Sequence, residues 1–157
     1  MDYNIIFNSY NSLHEEEQLK KLDLISTFLK VNKSDKLLDI GCGTGISTDF
    51  FDCFSVGIDP SFNMLKLSQG NRINSFAENL PFKNNSFDII LALTSIHNFN
   101  NIDLAIEEIK RVSKKDSKIV ITLLKKSPKF SSIKKKLLKN FNFKTIEEDK
   151  DLIFYLV

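Results

Sequence analysis

Apolar residues along this chain switch repeatedly between two periods, and the switches mark its elements. Leu19, Leu22, Ile25, Phe28 and Leu29 recur at helical spacing and predict a helix over 15–30. Asn32, Lys33, Ser34 and Asp35 interrupt it, and a strand follows over 36–40. Ile46, Phe50 and Phe51 give one or two helical turns, and a second strand over 54–58 ends in Asp59 and Pro60. Ser61 stands where it can cap a helix carrying Phe62, Met64, Leu65 and Leu67, which Gly70 and Asn71 would end. A weaker strand spans 72–76. Residues 87–93 form a near-continuous apolar run, the pattern of a parallel strand covered on both faces. Ile102, Ile106, Ile109 and Val112 mark an amphipathic helix, with Glu107 and Arg111 as an i,i+4 pair on its wet side. A strand over 118–124 follows, then a helix opened by Pro128 with Ile133, Leu137 and Leu138 inside. Strands over 141–146 and 152–157, around the charged turn 147–151, complete the order.

Strands alternating with helices predict a parallel α/β sheet with helices on both faces. The last two strands, joined by a short turn, must run antiparallel to each other. The chain shows no internal repeat and no interdomain linker, so its 157 residues predict one domain. With 42% hydrophobic and 27% charged residues, it can bury a core without disulfides or a metal staple. The two cysteines, Cys42 and Cys53, have neither zinc-ligand nor C-x-x-C spacing and read as reduced thiols, so no metal is expected. A net charge of +2 is too small to imply a polyanionic partner. No apolar run approaches the ~20 residues of a membrane span, and Met1-Asp2-Tyr3-Asn4 lacks a secretory start. A cytoplasmic protein without a membrane partner is the expectation.

The candidate chemistry begins at Gly41, Gly43 and Gly45, directly after the first strand, with Asp59 twenty residues beyond Asp39. Glycine permits positive φ and close approach of a ligand to the main chain. A carboxylate at 59 can accept hydrogen bonds from both hydroxyls of a ribose. Taken singly, each glycine is a tight turn and Asp59 an acid favoured at a helix N-terminus. Together, in a strand–loop–helix context, they point to a nucleotide-like ligand. The loop is G-x-G-x-G, and Ile46 stands where dinucleotide dehydrogenases place their third glycine.

Four stretches then resemble the ordered motifs of the class I S-adenosylmethionine-dependent methyltransferases, in particular the type 11 methyltransferase domain. They are Leu38-Asp39-Ile40-Gly41-Cys42-Gly43-Thr44-Gly45, Val56-Gly57-Ile58-Asp59-Pro60-Ser61-Phe62-Asn63-Met64-Leu65, Ala77-Glu78-Asn79-Leu80-Pro81-Phe82 and Ser86-Phe87-Asp88-Ile89-Ile90. The passage from Arg111-Val112 to Ile119-Val120-Ile121 is similar to the end of that family's core, so the resemblance covers residues 36–124. It implies a Rossmann-like, doubly wound α/β/α fold whose seven-stranded, mostly parallel sheet contains one antiparallel strand. Within one domain over 1–157, residues 1–30 would be a cap segment and helix, 36–124 the cofactor core, and 125–157 a helix and antiparallel pair.

The implied cofactor is S-adenosyl-L-methionine. By position, Asp39 and the backbone of Gly41, Cys42, Gly43 and Gly45 would hold its methionine part. Asp59 would bind the ribose, Pro60 and Met64 would pack near the adenosine, and Ala77 and Glu78 would flank the adenine edge. Leu93 would lie beneath the sulfonium. Many relatives carry Asp where this chain has Phe76, which leaves adenine to backbone groups, Glu78 or apolar packing. Lys115-Asp116 replaces a frequent Pro-Gly turn, a change that concerns a surface turn.

Methyl transfer from a sulfonium is an in-line displacement that needs alignment and water exclusion more than a base. The acceptor is expected beside Thr94-Ser95-Ile96-His97-Asn98-Phe99, which lacks the Asn/Asp-Pro-Pro-Tyr signature of adenine and glutamine methylation. His97 is a candidate to orient the acceptor or take its proton, against the alternative of a loop histidine bonded to backbone. Tyr10 and His14 are candidates for a lid over the cleft, although aromatics before a helix more often pack than react. Residues 125–144 hold eight lysines and no acid, read first as a solvated helix face and second as a nucleic-acid footprint. A small-molecule acceptor is the first expectation, with RNA or protein acceptors open, for a monomer or homodimer. A cofactor-binding scaffold or activator subunit of a protein- or RNA-modifying complex is the alternative. A nicotinamide-dependent oxidoreductase explains the glycines and Asp59 but not the missing third glycine.

Overall fold

The computed structural model describes the backbone of residues 3–157 and the side chains from Leu13 onward. Its elements are α1 (Tyr3–Ser26), β1 (Lys36–Ile40), α2 (Ile46–Phe50), β2 (Phe54–Asp59), α3 (Phe62–Leu65) and β3 (Arg72–Asn74). They continue with β4 (Phe87–Ala92), a short 3-10 turn (Ile96–Asn98), α4 (Ile102–Val112), β5 (Ser113–Leu124), α5 (Phe130–Asn140), β6 (Lys144–Glu147) and β7 (Asp151–Leu156).

The strands form one seven-stranded sheet in the order β3-β2-β1-β4-β5-β7-β6. Strands β1 to β5 pair in parallel, while β7 runs antiparallel to both of its neighbours. The sheet is therefore Rossmann-like, with the single antiparallel strand that the sequence predicts. From β1 the chain winds outward through β2 and β3, then returns across to β4. That reversal opens a crevice at the carboxyl ends of β1 and β4, where such sheets bind ligands.

Alternation along the central strands builds two cores. Leu38, Ile40, Ile90 and Ala92 join Ile106 and Ile109 of α4 and Ile133 and Leu137 of α5. Leu37, Ile89, Leu91 and Leu93 instead join Leu22 and Ile25 of α1, with Ile46 and Phe50 of α2 packed alongside. Successive strand residues point to opposite faces, so an unbroken apolar run supplies both layers.

Several boundaries differ from the sequence expectation, among them the starts of α1 at Tyr3 and of β6 at Lys144, and four more are instructive. Helix α1 ends at Ser26, where the N–H groups of Thr27 and Phe28 turn back to the carbonyls of Leu24 and Ile25 at 3.1 Å each. Helix α3 stops at Leu65 because none of its residues is buried; Phe62 is 61% and the nearby Leu67 73% exposed, so no core face extends it. Strand β3 ends at Asn74, and Phe76 leaves the sheet. Strand β5 begins at Ser113, pairing with Phe87 ahead of a register shift that the polar stretch conceals.

Arg111 also takes a different partner from Glu107. Its guanidinium holds Glu108 through two bonds, Nε to Oε1 at 2.6 Å and Nη2 to Oε2 at 2.7 Å. The same side chain donates to the carbonyls of Phe82 at 2.7 Å and Leu80 at 2.9 Å. Glu108 in turn accepts from the Leu80 N–H at 2.7 Å. The pair anchors the loop before β4 to α4, a demand that helical spacing alone does not express.

Candidate active site

The glycine loop leaves β1 with the N–H groups of Gly41 and Cys42 both donating to the Ile58 carbonyl, at 2.8 and 2.9 Å. Gly41, at φ +76°, presses against another side chain: an added Cβ would lie 2.4 Å from Cβ of Ser95. Gly45, at φ +92°, would place its Cβ 2.4 Å from the Arg72 guanidinium. At Gly43 the nearest atom would be Cε of Met64 at 3.4 Å. Of the three, only the middle glycine is free of a clash where a side chain would stand; the outer two are required by protein packing.

Beneath the loop, Asp39 is 1% exposed. Its Oδ2 accepts from the hydroxyls of Ser47 at 2.6 Å and Thr48 at 2.7 Å, which fastens α2 to the end of β1. Burial raises the pKa of this carboxyl, against the opposing hydrogen bonds and the charge of Arg72. Arg72 closes the layer with a 2.7 Å bond to Asp49. Cys42 tucks its sulfur against Gly57, where an added Cβ would lie 2.7 Å from Sγ. Burial, with help from the charges of Asp39 and Asp59, pushes this thiol up to about 12.

Asp59, half-buried at the end of β2, faces a cleft of about 660 Å³. Its Oδ2 accepts from the Gly43 N–H at 2.9 Å and its Oδ1 from the Ser61 N–H at 2.8 Å. Each oxygen keeps lone-pair capacity for a ligand hydroxyl. Pro60, Met64, Leu67 and Phe76 form the wall on one side, with Ala77 and Glu78 at its edge. Phe76 is 53% exposed there. Glu78 is held by the Asn101 N–H, which donates to Oε1 at 2.9 Å at the start of α4. An oriented carboxylate, open backbone at Gly43 and an apolar wall fit a nucleoside with its sugar at Asp59. The cavity also has the size that small-ligand sites need.

The other end of the cleft is walled by His14, Glu15 and Gln18 of α1 and by Leu93, Thr94, Ser95 and Asn98 after β4. Ser95 donates to the Ile40 carbonyl at 2.7 Å, tying this segment to β1. Thr94 adopts φ +51°, a left-handed conformation costly for a β-branched residue. Its hydroxyl accepts from Lys21 and donates to Asp151 Oδ2, both at 2.8 Å.

Of the residues singled out by sequence, Gly41, Cys42, Gly43, Asp59, Pro60, Met64, Ala77, Glu78, Leu93 and His14 line this cleft. Asp39 lies under the loop, and Gly45 faces Arg72. Tyr10 falls outside the described side chains. His97, half-buried on the 3-10 turn, is not among the lining residues. Its Nδ1 finds no partner among the described residues, and burial lowers its pKa against the raising charge of Asp151.

Among the described residues no group of His, Cys, Asp and Glu is arranged to hold a metal, and no helix is long and apolar enough to cross a membrane. Lysines of the basic segment meet acids and rings of this chain: Lys125 pairs with Glu147 at 3.1 Å, and Lys134 lies 5.9 Å from the Phe130 ring centre. Arg72, Lys21, Asp151 and Ser95 carry no motif signal. Their partners lie 23 to 130 residues away, so only folding brings each pair together, with Ser95 alone of the four lining the cleft.

A doubly wound sheet with a glycine loop at its switch point, and an acid closing the next strand, defines a Rossmann-like protein. The chain belongs to the methyltransferase-domain family, whose pattern matches residues 38–121, and so to the S-adenosylmethionine-dependent methyltransferases. An uncharacterized Methanocaldococcus jannaschii protein, MJ1252, is 32% identical over 126 residues, covering 77% of this chain and 49% of that protein. The crystal structure of YcgJ from Bacillus subtilis superposes with a TM-score of 0.61 at 26% identity, over 66% of this chain and 50% of that one. A SAM-dependent methyltransferase of Thermotoga maritima, a possible histamine N-methyltransferase, shares the fold more completely. Its TM-score is 0.75 at 18% identity, over 98% of this chain and 94% of that one. The chain spans about half the length of the relatives it matches first, 49 to 58% of each.

Proposed function

We propose that this chain binds S-adenosyl-L-methionine in the cleft at the β1/β4 reversal and methylates a small-molecule acceptor. The observation that carries the reading is Asp59, oriented by two main-chain N–H groups and facing a cleft whose floor is open at Gly43. When bound, the cofactor supplies a methyl group on a sulfonium together with its own leaving group.

The residues of the chain divide the remaining work. Asp59 accepts from the ribose hydroxyls. Met64, Phe76 and Ala77 hold the purine, with Glu78 at its edge. The main chain from Gly41 to Gly43 receives the methionine end, and Asp39 keeps that loop in place through Ser47 and Thr48. Leu93, 7% exposed, keeps water from the reacting end of the cleft. The acceptor lies between α1 and the segment after β4, where His14, Gln18, Thr94 and Asn98 offer polar groups. Walls on both sides favour a small molecule over an extended polymer. Alignment and water exclusion carry the reaction, and His97 is left outside it.

Calorimetry with S-adenosylhomocysteine tests the reading. Asp59→Ala deletes two hydrogen bonds to a charged acceptor, about 3 kcal/mol together, so affinity drops roughly 100-fold. Unchanged affinity in that variant overturns the proposal. An acceptor screen with labelled cofactor then separates small molecules from RNA and protein.

A further inference from the structure

Lys21 is 5% exposed and Asp151 fully buried, and the two form a direct ion pair between α1 and the start of β7. The pair is also bonded to the cleft. Lys21 donates to the Thr94 hydroxyl at 2.8 Å, and that hydroxyl donates to Asp151 at 2.8 Å. Thr122 donates to the same Asp151 oxygen at 3.2 Å while accepting from the Thr94 N–H at 2.7 Å. Thr94 is thus held by its N–H and its hydroxyl in the left-handed conformation it adopts at φ +51°.

On α1, His14, Gln18 and Lys21 are spaced four and then three residues apart, which places them on one face of the helix. His14 and Gln18 line the cleft, and Lys21 is the buried root of that stripe. Removing two charges from water generally costs as much as their attraction returns, and an apolar pair of similar volume is often at least as stable. Stability therefore does not explain this arrangement, whereas geometry does: an ion pair shared with a threonine hydroxyl has one register, and an apolar contact has many.

We propose that Lys21 and Asp151 are positioning residues of the cleft. They touch no ligand; they fix α1 as its acceptor-side wall and hold Thr94 in the conformation that shapes its floor. The choice of ligand below rests on the methyltransferase reading, while the placement of α1 does not.

The test uses the full chain and two variants. Lys21→Met/Asp151→Leu replaces the pair by apolar side chains, and Thr94→Val removes only the hydroxyl. In the double variant Tm stays at or above that of the parent, yet amide exchange over 14–18 accelerates roughly tenfold as α1 loses its register. The dissociation rate of S-adenosylhomocysteine rises by a similar factor. Thr94→Val raises that rate too, with α1 exchange near the parent value. A folded double variant with parental exchange and dissociation overturns the proposal. Should the double variant fail to fold, a parental dissociation rate in Thr94→Val does the same. If the parent chain itself binds no S-adenosylhomocysteine, the cofactor reading fails, and exchange over 14–18 still decides the role of the pair.

Discussion

The main-chain N–H of Gly43 donates to the carboxylate of Asp59 at 2.9 Å, so the glycine loop and the acid sixteen residues away form one unit. The carboxylate that would grip a sugar also sets the loop that would receive the other end of the ligand.

Asp59→Asn disturbs both jobs at once. The amide keeps the size of the side chain but loses an acceptor oxygen, leaving either the Gly43 or the Ser61 N–H without its partner. Stability falls by about 1–3 kcal/mol, read as a lower urea midpoint, and affinity for S-adenosylhomocysteine falls with it.

The three loop glycines respond differently to alanine. Gly41→Ala meets Ser95 at 2.4 Å in addition to the strain of a left-handed backbone, and lowers Tm sharply. Gly43→Ala carries only the backbone strain, about 1–2 kcal/mol, because its nearest neighbour is the flexible end of Met64. Its larger effect is on ligand affinity, since the new methyl group stands in the cleft. Thermal melts with and without S-adenosylhomocysteine distinguish the two.

Arg111→Met destabilises by about 2–4 kcal/mol, because Glu108 and the carbonyls of Leu80 and Phe82 lose their donor together. Glu107→Ala stays within about 0.5 kcal/mol. Chemical denaturation of both variants checks the choice of partner.

The hydrogen bond from Arg111 holds the Glu108 carboxyl below the usual glutamate range. A depressed folded pKa means this contribution is present above the unfolded value, about 4.3, and disappears as pH falls through the folded one. Glu108→Gln is therefore less stable than the parent at neutral pH, and the gap closes as the solution is acidified below pH ~4. Denaturation midpoints measured from pH 3 to 7 follow it.

Cys42, its thiol pushed up to about 12, stays protonated in mildly alkaline solution and is shielded by Gly57 and Thr48. Alkylation of the folded chain at pH ~8 therefore labels Cys53, half-buried, well before Cys42. Peptide mass spectrometry gives the order; equal labelling would contradict the packing of the loop.

Element order, strand direction and the loop–acid unit were legible in the sequence because each depends on short-range rules. A run such as Ile89-Ile90-Leu91 must be covered on both faces, and a glycine loop between strand and helix must turn tightly. The helix boundaries were less legible: Phe62 with Leu65, and Met64 with Leu67, have the i,i+3 spacing of a helix but no core to face, and periodicity does not say whether a partner surface exists.

What only the tertiary structure decided is which side chains stand behind the site. Gly41 must be glycine on account of Ser95 and Gly45 on account of Arg72, neighbours supplied by the segment after β4 and by β3. Arg111 chose Glu108 because the loop at Leu80 and Phe82 lies on that side of α4. Lys21 met Asp151 across 130 residues of chain. Backbone requirements and apolar periods act between near neighbours, whereas these meetings depend on how the sheet orders its strands, and the strand order exists only once the chain has folded.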